Sequence, residues 1–151
     1  MKIAVGSDHR GFPLKGKIVQ FLRQKGFEVS DLGTHHEAPP CDYPDIAAKV
    51  ARHVTERSFD RGLIVCGTGI GVSIAANKIP GIRAARCVTK RDAMLSRAHN
   101  DANVLALDGT AVSLKKTKDI VLTWLRTQFE GGRHLRRVKK ISKLEKDSCK
   151  R

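Results

Sequence analysis

The 151-residue chain contains no apolar run approaching the roughly 20 residues needed to cross a bilayer. Its opening apolar stretch, Met1-Lys2-Ile3-Ala4-Val5-Gly6, is too short for a signal core and leads straight into polar Ser7-Asp8-His9. We therefore expect a cytoplasmic protein with no membrane partner. Its four cysteines, Cys41, Cys66, Cys87 and Cys149, include no CxxC pair and no Cys/His spacing suited to a metal. That excludes the common zinc modules, and a cysteine density this low argues against a disulfide scaffold. Aromatics make up only 5% of residues. Internal repeats and long linkers are missing, so residues 1–151 are expected to form one domain.

Positive charge is abundant. The formal net charge is +14, and residues 131–151 carry nine Lys or Arg against two acids, a net of +7. A basic tail of this kind is a solvated surface, a site for an anionic small molecule, or a nucleic-acid contact. No aromatic side chain interleaves these charges, which removes a base-stacking platform and places nucleic acid last.

Strand-like and helix-like segments alternate along the chain. Strands are expected at residues 2–6, 27–32, 62–66, 82–88 and 103–107. Helices are expected at 11–25, 44–54, 71–77, 90–98 and 112–129, with a basic helix at about 132–146. Leu14, Ile18, Phe21 and Leu22 show helical spacing, and Gly26 is placed as a C-cap. Such alternation predicts right-handed βαβ units. The expected fold is α/β: a three-layer α/β/α sandwich around a five-stranded, mostly parallel, Rossmann-like sheet. The order of the strands is not readable from the pattern.

The most informative segment runs from Leu63 to Lys78. It begins as a buried strand, passes through Gly67-x-Gly69-x-Gly71 and continues as a small-residue helix. The glycine spacing is neither GxGxxG nor a P-loop. It still suits exposed amides facing an anion, or simply a tight turn needing positive φ. Cys66 precedes the loop, and a thiolate is favoured beside a helix N-terminus, making Cys66 a candidate base or nucleophile unless it is only a small buried hydrophobe. Thr68 adds a hydroxyl. Asp8 and His9 end the first strand, where Asp8 binds ligand or merely caps the next helix. His99-Asn100-Asp101 lies at the amino end of the fifth strand, far from Cys66 in the same subunit; His99 is either a solvated loop residue or reaches Cys66 across a two-fold dimer. Arg133 and Arg137, at i and i+4, share a helix face suited to a phosphate monoester.

Together these stretches resemble the ribose/galactose isomerase family, its B-type ribose-5-phosphate isomerases in particular. The matching segments are Gly6-Ser7-Asp8-His9, Asp31-x-Gly33, Asp42-Tyr43-Pro44, Ile64 to Lys78, Gly81-Ile82-Arg83-Ala84, Ser96-Arg97-x-His99-Asn100-Asp101-x-Asn103-Val104-Leu105 and Gly131-Gly132-Arg133-His134. The resemblance implies cofactor-independent interconversion of an aldose phosphate and its ketose isomer, without metal. Cys66 is then the base at C2, His99 the ring-opening acid supplied by a partner subunit, and Thr68 a proton carrier between O1 and O2. The amides of Gly67, Thr68, Gly69, Ile70 and Gly71 are implied to hold the enediolate. Asp8, His9, Asn100, Arg133 and Arg137 are implied to bind sugar and phosphate, with Tyr43 lining the pocket. A homodimer or dimer of dimers with shared sites follows.

Two positions and one short stretch depart from the family pattern. Thr110 stands where an arginine is usual, Arg10 where a small or apolar residue is common, and Arg86 to Arg91 is unusually basic. These leave room for allose 6-phosphate, galactose 6-phosphate or a free rare sugar as substrate. A non-enzymatic anion- or nucleic-acid-binding module is the third alternative.

Overall fold

The computed structural model describes residues 1–148; Cys149, Lys150 and Arg151 of the basic tail lie outside the described residues. Five strands form the sheet: β1 (Lys2–Ser7), β2 (Glu28–Asp31), β3 (Arg61–Cys66), β4 (Ala84–Arg86) and β5 (Val104–Asp108). Six helices accompany them: α1 (Phe12–Gln24), α2 (Tyr43–Thr55), α3 (Ile70–Ala76), α4 (Lys90–Ala98), α5 (Leu114–Arg126) and α6 (Gly132–Ser148). The strand order is β2-β1-β3-β5-β4. All four pairings are parallel, so "mostly parallel" is sharpened to wholly parallel.

Strand periodicity divides the core in two, because successive side chains point to opposite faces. Ile3, Val5, Leu63, Val65, Leu105 and Leu107 pack under α1, α4 and α5, around fully buried Trp124. Ala4, Ile64, Cys66, Val104 and Ala106 face α2 and α3. This makes the three layers and places the Cys66 side chain on the α2/α3 side.

Local chemistry sets the ends of the elements. Helix α1 stops in a Schellman motif: Gly26 adopts φ +83°, its N–H donates to Arg23 O (3.0 Å), and the Phe27 N–H donates to Leu22 O (3.1 Å). Helix α4 begins with a capping box between Thr89 and Asp92. Lys15 is wholly buried on α1, and its ammonium donates to both Asp31 carboxylate oxygens and to Thr34 O. Three acceptors match its three donors, tying α1 to the end of β2.

Two elements are shorter than expected. The fourth strand spans only Ala84–Arg86, because Ile79 and Ile82 are taken into a turn closed by Gly81 at φ +84°. Helix α5 stops at Arg126 rather than 129. The chain then runs extended, and the Glu130 N–H donates to Ala98 O at the end of α4 (3.0 Å).

Candidate active site

The carboxyl ends of β1 and β3 lie side by side at the point where the strand order reverses, the usual position for a ligand crevice in a parallel sheet. There Asp8, His9, Arg10, Cys41, Asp42, Tyr43, Cys66, Gly67, Thr68 and Gly71 line one pocket of about 270 Å³. That volume is slightly under the roughly 300–1,000 Å³ of an enclosed small-molecule site.

Cys66 is 4% exposed. Its Sγ accepts the Gly69 N–H at 3.1 Å, which fixes the sulfur at the mouth of the loop. Each glycine of the loop is needed for a different reason. Gly67 leaves space for the Arg10 guanidinium, whose Nε lies 3.1 Å from where a Cβ would be. Gly69 has φ +73° and sits 3.0 Å, by the same measure, from the Leu107 carbonyl carbon. At Gly71 a Cβ would stand 2.7 Å from the Tyr43 ring. The glycines therefore seat an arginine and a tyrosine as walls on either side of the loop.

The sequence led us to expect a loop of exposed amides, but two of them are engaged within the loop. Gly69 donates to Cys66 Sγ, and Ile70 donates to Thr68 Oγ1 (3.2 Å). The amides of Gly67, Thr68 and Gly71 have no acceptor among the described residues, and they remain available for an anion. Asp8 does not cap α1, whose N-cap is Gly11 and which has no side-chain cap bond; its Oδ1 accepts the Gly11 N–H at 2.8 Å in the turn before the helix, and it is 5% exposed. His9 accepts the Cys41 N–H at Nδ1 (3.4 Å), a bond requiring that nitrogen to be unprotonated.

A polar strut supports the loop from beneath. Thr110 donates its hydroxyl to Gly67 O (2.8 Å), and Arg86 donates to Thr68 O (2.6 Å) and to Asp108 Oδ2 (3.3 Å). Burial pushes the Asp108 carboxyl upward. The N–H groups of Ala111 and Thr110, the Thr110 hydroxyl and the Arg86 cation outweigh burial and hold it below the ordinary carboxylate value. Cys87, by contrast, is 1% exposed within the apolar core, and burial pushes its thiol up to about 11. Of these two thiols, Cys66 is the one that lines the pocket at the β1/β3 crevice.

His99, Asn100, Arg133 and Arg137 line none of that pocket. The register sets Cys66 level with Asp108, while His99 precedes Val104. The length of β5, about 13 Å at about 3.3 Å per residue, lies between them. His99 instead stacks face to face on His134, with ring centroids 4.1 Å apart and planes 5° from parallel. Glu130 lies 3.8 Å from His99 and 3.6 Å from His134. Arg133 donates to His134 Nε2 (3.3 Å), which must be unprotonated to accept. Burial, then His99 and Arg133, hold the His134 imidazole below its ordinary value, against the pull of Glu130.

The donor atoms of His99, Glu130 and His134 all lie within 4.8 Å of one another, the only such group of metal-ligand spacing among the described residues. With the rings parallel, their in-plane lone pairs do not converge on a common ion. Asn100 faces a groove of about 630 Å³ between α6 and the turn before β4, whose walls include Ile82, Ile141 and Leu144.

Arg10, Arg86 and Asp108 are site residues to which sequence reasoning assigned no role. The first two stood out only as unexpected charges; Asp108 gave no signal, because its ties depend on the β3–β5 register.

Comparison with known proteins shows the family and the fold. The Ribose/Galactose Isomerase family matches residues 3–141. Ribose-5-phosphate isomerase B of Escherichia coli (strain K12) is 50% identical over 144 residues, 95% of this chain and 96% of that protein. A Clostridium thermocellum ribose-5-phosphate isomerase B structure superposes with a TM-score of 0.96 at 53% identity, covering 98% of this chain and 99% of that one. The Mycoplasma genitalium enzyme, solved with bound ribulose 5-phosphate, gives a TM-score of 0.92 at 44% identity, covering 96% of each chain. The chain belongs to the ribose/galactose isomerase family.

Proposed function

We propose that this chain is a cytoplasmic, single-domain isomerase that interconverts ribose 5-phosphate and ribulose 5-phosphate without a cofactor, at sites shared between two subunits. The observation that carries it is Cys66, its sulfur held by the Gly69 amide beside three unengaged amides at the β1/β3 crevice.

The Cys66 thiolate removes the C2 proton of the open-chain aldose. The C–H electron pair becomes the C1=C2 bond, and the carbonyl pair moves onto O1. The Gly67, Thr68 and Gly71 amides stabilise that oxyanion, and such a donor is typically worth roughly 10²–10³ in rate. Thr68 carries a proton from O2 to O1. The Cys66 thiol then returns its proton to C1, giving the ketose. His99 of a second copy opens the furanose ring by protonating the ring oxygen as its bond to C1 breaks, while the C1 hydroxyl gives its proton to water and becomes the aldehyde. Arg133 and Arg137 of that copy hold the phosphate, while Asp8, His9 and Tyr43 bind the sugar.

The open pocket supports a shared site. So do Ile70 and Ile74 on the outer face of α3, which are 50% and 58% exposed beside the loop. A second copy covers them and brings the missing acid. The test is conversion of ribose 5-phosphate by the protein alongside Cys66→Ala. Turnover in the first and none in the second supports the reading; equal turnover in both removes Cys66 as base.

A second reading keeps the chemistry and changes the sugar to allose 6-phosphate, galactose 6-phosphate or a free rare sugar. Thr110 favours it, because a short neutral side chain there points its hydroxyl at Gly67 O rather than at a ligand. A sugar panel ranked by kcat/KM decides between the two.

A further inference from the structure

We infer that Arg10 is a substrate-binding residue that grips the phosphate of the sugar from the same subunit as Cys66, and so sets the preference for phosphorylated over free sugars. This rests on the proposed isomerase reading. Among the described residues, Arg10 is the only lysine or arginine lining the Cys66 pocket. Its guanidinium lies directly over Gly67, with Nε and Cζ 3.1 Å and 3.2 Å from the place a Cβ would take. Any larger residue at 67 would displace it.

Three other arginines near the sheet ends are neutralised. Arg86 is paired with Asp108, and Arg83 and Arg97 with Asp101. Among the described residues Arg10 forms no ion pair and donates no side-chain hydrogen bond. Asp8 and Asp42 share its pocket, but neither pairs with it, and one Asp8 oxygen is taken by the Gly11 N–H. Thr110, the other side chain touching Gly67, brings no charge.

An unpaired guanidinium in a ligand pocket calls for a standing anion. The open-chain sugar is neutral at its reacting carbons until the proton leaves, so the one permanent negative charge on the substrate is its phosphate. A guanidinium presents a planar fork that matches two phosphate oxygens, and charge-assisted bonds of this kind are the strong ones. Arg10 thus supplies a cation from the base's own side, independent of α6.

The test compares the full-length protein with Arg10→Gln and Arg10→Lys. Arg10→Gln should raise the KM for ribose 5-phosphate about tenfold, change kcat by less than about threefold, and weaken inhibition by inorganic phosphate by the same factor as KM. Arg10→Lys should recover part of the phosphate affinity. Unchanged KM and unchanged phosphate inhibition in Arg10→Gln would overturn the inference. A fall in kcat with KM intact would also overturn it, because the guanidinium would then serve the enediolate. If the wild-type protein does not turn over ribose 5-phosphate, the isomerase reading fails on its own. Direct titration with inorganic phosphate then still decides: weaker binding to Arg10→Gln supports the phosphate grip, and equal binding refutes it.

Discussion

At the carboxyl edge of the sheet, Cys66 is almost wholly buried, and the glycine loop above it allows few alternatives. At the amino edge, the His99 side chain is about one-third exposed, stacked on His134 and paired loosely with an exposed Glu130. Among the described residues, the first region holds a sulfur, unengaged amides and the unpaired Arg10. The second holds imidazoles and the two arginines of α6. Neither contains a complete set for aldose–ketose isomerisation, and β5 separates them within one subunit. In the proposed reading, the base that must meet C2 accurately is built on a strand end and constrained backbone. The proposed acid, acting on the ring before enolisation, sits on a helix end, where a second copy would present it.

Removing the base tests this contrast most severely. Cys66→Ala should lower kcat by about 10³-fold or more, combining lost proton abstraction with lost positioning. Cys87→Ala, at a thiol equally buried but facing only core, should leave kcat unchanged and cost about 1 kcal/mol in urea unfolding. If both variants lose activity equally, the pocket is not what distinguishes the two thiols.

His99→Asn should cost about 10²-fold when the ring must be opened. The deficit should shrink in pre-steady-state measurements that begin from the open-chain fraction. An undiminished deficit there would place His99 in enolisation and blur the division between the two edges.

Gly69→Ala attacks the loop through its backbone. A side chain at φ +73° beside the Leu107 carbonyl should cost about 1–2 kcal/mol and move the Cys66 sulfur, lowering kcat more than it raises KM. A stability loss with kinetics intact would show that the Gly69 amide contact is not needed.

The smallest effect belongs to Glu130→Gln. Glu130 raises the His134 imidazole, which nonetheless sits below its ordinary value of about 6.5. A group lowered on folding contributes stability above its unfolded value, and that stability is lost as pH falls through the ordinary value toward the folded one. Removing Glu130 lowers His134 further. The urea midpoint of Glu130→Gln should therefore match wild type near pH 8 and fall more steeply below about pH 6.5. Parallel curves would remove Glu130 from the cluster's electrostatics.

Much of this was legible in the chain itself. The alternation of Ile3-Ala4-Val5 and Leu63-Ile64-Val65-Cys66 marks strands buried on both faces, and Gly26 marks a helix end. Cys66 with its three glycines identifies the crevice, because a strand end, a turn and a helix start are all local. The strand order was not legible, since it depends on which crossovers pass over the sheet. The early end of α5 was hidden because it follows from Glu130 meeting Ala98, 32 residues away. Lys15 was not singled out, although its place among Leu14 and Ile18 on one helix face, with Asp31 ending the next strand, was a signal of burial with a partner. Arg10 registered as an odd charge, but its seat over Gly67 depends on β1 and β3 being neighbours.

The shared site can be tested by mixing two inactive variants, Cys66→Ala and His99→Asn, in equal amounts after dissociating and reassociating the subunits. If each site takes its base from one subunit and its acid from the other, half the dimers are mixed and each contains one intact site. Ribose 5-phosphate isomerisation should then recover to about a quarter of the wild-type rate. No recovery, with mixed dimers demonstrated, would contradict a site divided between the two edges of the sheet.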